Sequence, residues 1–181
     1  MKYSCQDLQQ SVYFAPRALR HCCQRFFVDG KIRGDVEILK AKSDKDIDPK
    51  KIIEEKKKII KNLNTNIPTP CDGCPKIQLK KWSEEIKINK ISVEAHSKCN
   101  ARCSYCSDVF YGGLNPNYDL EVMLKNFKDN NFFDSNVAIT WGGGEPVLLK
   151  NFDHIFEKFM NSTEPNFNDA RVYSNSIIYN Y

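Results

Sequence analysis

Apolar residues recur with a period of two in some stretches and of three to four in others, and in the second half of the chain the two patterns alternate. Residues 90–95 (KISVEA), 136–141 (NVAITW) and 170–174 (ARVYS) predict three short strands. Between them, Leu120, Met123, Leu124 and Phe127 keep helical spacing behind Asp119, a natural cap. Phe152, Ile155, Phe156 and Phe159 form the apolar stripe of a second helix over about residues 151–161. Strand, helix, strand, helix, strand predicts a parallel sheet with crossover helices. Ligands of such sheets bind outside the carboxyl ends of the strands. A cysteine group, a glycine run and Asn175 each follow a strand end, so all three are expected at one mouth.

The first half reads differently. Residues 24–39 (QRFFVDGKIRGDVEIL) predict a β-hairpin folded at Asp29-Gly30. A polar connector over 43–48 leads to Asp48-Pro49, an N-cap followed by a first-turn proline. The helix predicted over 50–63 puts Ile52, Ile53, Ile59, Ile60 and Leu63 on one stripe, and residues 64–70 deliver the chain to Cys71. The expected division is a cysteine-rich α+β segment over 1–80 and an α/β unit over 81–181.

A length of 181 residues suits one full domain or two small ones. With 41% hydrophobic and 12% aromatic residues, the chain can build a packed core rather than stay disordered. The net charge of +4 is mild, and the lysines between 50 and 61, interleaved with Glu54 and Glu55, read as the solvated face of a helix. A nucleic-acid surface needs more charge and interleaved aromatics, so no nucleic-acid partner is expected. The first residues, MKYSCQDLQQSVYF, contain no apolar signal core, and no apolar run approaches the roughly 18 residues of a membrane span. No membrane association is expected, and a cytoplasmic location is. Eight cysteines in such a chain point to metal or redox chemistry instead of disulfides.

Cys99, Cys103 and Cys106 lie on one loop, spaced by three and two intervening residues. Four thiolates close a zinc tetrahedron or saturate a cluster, whereas three leave one iron of a cubane open to an external ligand. The alternative is a zinc knuckle completed by His96. Gly142, Gly143 and Gly144 allow close backbone approach to a ligand, and Glu145 supplies a carboxylate able to accept a hydrogen bond from an ammonium group.

This combination resembles the radical S-adenosylmethionine (SAM) superfamily. Its Cys-x3-Cys-x-aromatic-Cys pattern is matched by Cys99, Cys103, Tyr105 and Cys106, and its Gly-Gly-Glu-Pro motif by Gly143 to Pro146. The resemblance implies a 4Fe–4S cluster on the three cysteines, with the amino and carboxylate groups of SAM on the open iron. It implies reductive cleavage of SAM to a 5′-deoxyadenosyl radical that takes a hydrogen atom from substrate. Tyr105 is expected beside the cluster and adenine, the glycine run and Glu145 at the amino group of SAM, and Asn175 at its carboxylate and ribose. Ser176 stands where the family often has glycine. A reducing partner such as flavodoxin or ferredoxin follows, while the substrate, a peptide or a small molecule, is open, as are the catalytic acid, base or hydrogen donor.

Cys5, Cys22, Cys71 and Cys74 are four further potential ligands, with the Cys-x2-Cys spacing of a zinc or iron–sulfur half-site at the last two. The segment resembles the auxiliary-cluster modules of SPASM and twitch type, which implies a second 4Fe–4S cluster. Zinc and free buried thiols are the alternatives. His21, His96 and His154 are expected to be ordinary packing or surface residues.

A (β/α)8 barrel takes about 250 residues, roughly 30 per unit, so the family's partial (β/α)6 barrel would need on the order of 180 from Lys90 onward. The expected fold is therefore the N-terminal half of such a barrel behind the cysteine-rich segment, as in a truncated or split enzyme. A non-catalytic iron–sulfur or zinc module, or an inactive fragment, is the alternative function.

Overall fold

The computed structural model describes residues 1–104, 106, 113–163 and 170–175. Tyr105 and Ser176 lie outside the described residues. In chain order the elements are β1 (Lys2–Ser4), α1 (Gln6–Gln10), β2 (Ser11–Ala15), β3 (Ala18–Arg20), β4 (Arg25–Val28), β5 (Lys31–Gly34), β6 (Glu37–Lys40), α2 (Pro49–Leu63), β7 (Gln78–Lys80), β8 (Ile88–Val93), α3 (Leu120–Asp129), β9 (Phe133–Trp141), α4 (Phe152–Thr163) and β10 (Ala170–Val172). The described residues thus form a mixed α/β structure with four α-helices.

Its centre is a six-stranded mixed sheet in the order β10-β9-β8-β2-β3-β6. The four strands from β10 to β2 are mutually parallel, and β3 and β6 extend the sheet antiparallel. The alternation of strand and helix after residue 88 thus gives parallel neighbours β8, β9 and β10, with α3 and α4 in the crossovers. The sheet also crosses the division drawn at residue 80, because β2 from the cysteine-rich segment lies directly beside β8.

Register explains how the sheet buries itself. Val12, Ile91 and Ile139 align across three strands, and Phe14, Val93 and Trp141 form the next row on the same face. All six are buried. Helices α3 and α4 cover this face: Phe127 and Phe159 pack on Phe14, with ring centroids 5.9 and 6.4 Å away. The opposite face carries the intervening row Tyr13, Ser92, Thr140 and Arg171. A parallel sheet covered on both faces reads as continuous apolar runs. Here the strands alternate, so the second face is polar.

Local chemistry sets the remaining elements. Asp48 and Asp119 cap α2 and α3 by accepting from backbone N–H groups of their first turns. Asp29 and Gly30 both take positive φ, 51° and 72°, in the two-residue turn joining β4 to β5. Strand β9 begins three residues earlier than the apolar alternation predicts. Asn136, at φ 58°, sits where the register with β8 slips, between the Ile88–Phe133 and Lys90–Ala138 pairs.

The lysine run on α2 is not wholly solvated. Lys56 is fully buried, at 0% exposure, between Ile52 and Ile60 on the inward stripe. No helix among the described residues is long and apolar enough to cross a membrane.

Candidate functional site

The carboxyl ends of β8, β9 and β10 meet at one mouth, as the strand order requires. After β9, Gly142 N–H donates to the Val93 carbonyl (3.0 Å), Gly144 N–H to the His96 carbonyl (3.2 Å), and Glu145 N–H to the Lys98 carbonyl (2.7 Å). The glycine run is therefore laid directly along the segment leading from β8 into Cys99. A Cβ added at Gly144 would lie 1.9 Å from the Lys98 carbonyl oxygen, and one at Gly143 would lie 2.9 Å from that of His96. Gly143 also has φ 101°. These glycines are needed for the protein's own backbone contact, before any ligand is considered.

Glu145 is buried, at 1% exposure. One carboxylate oxygen accepts from Ser174 Oγ (2.8 Å) and the other from Asn175 N–H (2.7 Å). Asn175 Nδ2 in turn donates to Asn100 Oδ1 (2.9 Å) and approaches Cys99 Sγ (3.6 Å). Three predicted features thus form one connected network: the cysteine loop, the glycine run and the end of β10. The carboxylate expected to meet an external ammonium already joins two strand ends, although each oxygen retains a second lone pair. Cys99 is exposed, and Cys103 and Cys106 are half-buried; Cys106 N–H donates to the Cys103 carbonyl, closing a turn.

Beside the mouth, on the polar face, lies Glu94, whose carboxyl burial raises above the usual range. A Cβ on Gly142 would lie 3.8 Å from Glu94 Oε1, so this acid borders the glycine run. The sequence places Glu94 inside the strand expected over 90–95, whereas β8 ends at Val93 and leaves it at the mouth. His96 is buried behind the loop, and burial lowers its pKa. His154 is a surface residue whose Nε2 lies 3.4 Å from Glu121, bridging α4 to α3.

The other cysteines gather elsewhere. Pairing of β1 with β7 places Ser4 opposite Gln78 and so brings Cys5 towards Cys74. Cys5 caps α1 with its sulfur 3.4 Å from Leu8 N. The Cys71 turn is held by Asp72, which accepts from Thr69 N–H and Oγ1. Cys22 follows β3 through His21, whose N–H donates to the Val36 carbonyl. All four, Cys5, Cys22, Cys71 and Cys74, line one cavity together with His21. Cys23 is exposed beside it.

That cavity is about 10 Å³, room for one water-sized body. Among the described residues, no three Cys, His, Asp or Glu side chains stand close enough together to grip a single metal ion. Loading the cavity therefore moves the thiols apart or together. The donor set still fits a metal centre: four soft sulfur ligands converge on one enclosed space, and two buried nitrogens of His21 there have no hydrogen-bond partner.

Burial pushes the Cys5 thiol up to about 11 and Cys71 to about 12, and raises Cys22 and Cys23. Burial also takes Lys56, against the pull of Cys5, Asp7, Cys22 and Cys71, down to about 7. The signs give a pH profile for the metal-free chain. From pH 7 to about 9 the unfolded chain carries the Lys56 proton and the folded one does not, so stability rises with pH. Above about 9 the unfolded thiols ionise while Cys5 and Cys71 stay protonated in the fold, so stability falls. The slopes are on the order of 1 kcal/mol per pH unit. Urea midpoints between pH 6 and 11 should peak near 9; a flat profile contradicts this accounting.

Compared with family models, curated proteins and solved structures, the chain matches none.

Proposed function

We propose that this chain is a radical SAM protein in which Cys99, Cys103 and Cys106 hold a 4Fe–4S cluster and the mouth binds SAM. The observation that supports it most is the network joining the cysteine loop to Gly144, Glu145 and Asn175 across three parallel strand ends. Such a group would supply the electron that splits the sulfonium–carbon bond of SAM, giving methionine and a 5′-deoxyadenosyl radical. The chain's own residues hold the mouth in shape. Gly143 and Gly144 allow the cysteine loop to lie against β9, and Glu145 fastens β10 to it. The polar row Tyr13, Ser92, Thr140 and Arg171 would line the interior of a partial (β/α)6 barrel, with β8, α3, β9, α4 and β10 as its first units. Cys5, Cys22, Cys71 and Cys74 would hold an auxiliary 4Fe–4S cluster. Reduction by a flavodoxin or ferredoxin and a peptide or small-molecule substrate complete the proposal.

The test is anaerobic reconstitution with iron and sulfide, followed by iron analysis, EPR on reduction, and assay for 5′-deoxyadenosine. Replacing Cys99, Cys103 and Cys106 together with alanine should remove about half of the bound iron, one of two cubanes, and all SAM cleavage. An unchanged iron content and EPR signal in that variant would sink the assignment. One observation favours a non-catalytic metal-binding role instead: both oxygens of Glu145 are already engaged within the fold. Under that alternative the iron binds but no 5′-deoxyadenosine forms.

A further inference from the structure

Lys56 is unlike the other lysines of its run. It has no exposed surface, and its Nζ donates to a main-chain oxygen, that of Asp7, at 3.0 Å. From the core stripe of α2, with Ile52 and Ile60 one turn away on either side, its Nζ thus reaches Asp7, one of the residues that line the cysteine cavity. The groups that act on it are Cys5, Asp7, Cys22 and Cys71. Asp7 is half-buried, and its Oδ1 already accepts from Ser11 Oγ. Lys76, at the cavity rim, is exposed and so screened by solvent. An ammonium group withdrawn from water needs an anion beside it. Three of those four groups are thiols, which become anionic on binding a metal.

His21 is a second, independent sign of an occupant. It is 1% exposed, lines the same cavity, and has no partner for either ring nitrogen. One of those nitrogens carries a hydrogen in any tautomer, and an unmet buried donor is costly. Thiolate or sulfide would accept from it.

We propose that Lys56 is the built-in countercharge of a tetrathiolate metal centre on Cys5, Cys22, Cys71 and Cys74, and that it raises the reduction potential of that centre. This rests on the reading that these four cysteines bind a metal centre. Four thiolates around an oxidised 4Fe–4S core make a dianion, and one added electron makes a trianion. A fixed positive charge stabilises the trianion more, so reduction becomes easier; net charge near a cluster is one of the levers on its potential. The fully buried ammonium acts here without solvent screening.

The test uses the full chain carrying Cys99→Ala, Cys103→Ala and Cys106→Ala, so that only the first-segment centre reports. After anaerobic reconstitution, iron content and an EPR-monitored redox titration are compared for Lys56, Lys56→Met and Lys56→Arg. The methionine variant should keep its iron while its one-electron reduction constant falls about tenfold, about 59 mV lower. The arginine variant should titrate with the parent. Before reconstitution, Lys56→Met should raise the urea midpoint, because it removes a buried amine whose proton the metal-free fold disfavours; a merely structural lysine would give a lower one. If Lys56→Met does not fold, Lys56→Gln carries the same comparison. An unchanged potential overturns the proposal. If iron binds equally after Cys5→Ser and Cys71→Ser, or does not bind at all, the cluster assignment fails separately. The countercharge is then judged by zinc affinity, which Lys56→Met should lower about tenfold; unchanged affinity, or no zinc binding, overturns it.

Discussion

Gly144→Ala is expected to cost about 3 kcal/mol or more and, on the proposed function, to abolish iron binding at Cys99, Cys103 and Cys106. The added methyl group would sit 1.9 Å from the Lys98 carbonyl oxygen and 2.6 Å from its carbon, both backbone atoms that no rotamer change can move aside. Overpacking of this kind costs typically 1–3 kcal/mol when the surroundings can yield. Here yielding means separating β9 from the loop and losing the hydrogen bonds from Gly144 to His96 and from Glu145 to Lys98. Gly142→Ala is the control, since its Cβ would meet one side-chain atom at an ordinary 3.8 Å. Urea denaturation and iron analysis of both variants check this. Equal stability and iron content in Gly144→Ala and the parent would show that the glycine run does not depend on this close approach.

Trp141→Ala should destabilise the fold by about 4 kcal/mol, the middle of the range for a buried aromatic residue. Trp141 is fully buried, and its ring meets Phe152, Phe156 and Phe159 with centroids 5.3, 5.8 and 5.1 Å away, each edge-on or nearly so. Such pairs add about 0.5–1.5 kcal/mol beyond area burial. The same residue immediately precedes Gly142, and its carbonyl accepts from Tyr173 N–H. Loss of its packing loosens α4 and the carboxyl ends of β9 and β10 together. Denaturant unfolding should show the stability loss, and hydrogen exchange should show faster opening of β10 than of β2. Exchange rates in β10 unchanged from the parent would separate the core from the mouth and refute the coupling.

Much of the second half was legible because its signals are local. Helical spacing in 120–127 and 152–159 and alternation in β8, β9 and β10 each concern neighbours within a turn or two, and a parallel sheet follows from their order. That order also brought Cys99, Gly142 and Asn175 to one mouth before any coordinates. The hairpin at Asp29-Gly30 and the cap at Asp48 were equally local, since each depends on a backbone preference of one or two residues.

Other features depend on partners distant in the chain. Strand β2 is a five-residue buried run, and nothing in its composition says that its neighbour is β8. Pairing β1 with β7 joins residues 2–4 to residues 78–80, and it helps make one cavity from Cys5 and Cys74. Glu145 offered its carboxylate type to inspection, but its use as a clasp on Ser174 and Asn175 needed the folded strand ends. Lys56 was misread for the same reason. A lysine among lysines reads as solvated, and its spacing of four from both Ile52 and Ile60 was the one local hint otherwise.

The chain alone therefore established which cysteines have the type and spacing of candidate ligands, and that three of them follow a strand. Spacing acts through the covalent backbone, so it survives without a fold. Which thiols share a cavity, which are buried, and which charge faces them came from the tertiary structure, because burial and electrostatic environment are properties of segments packed together.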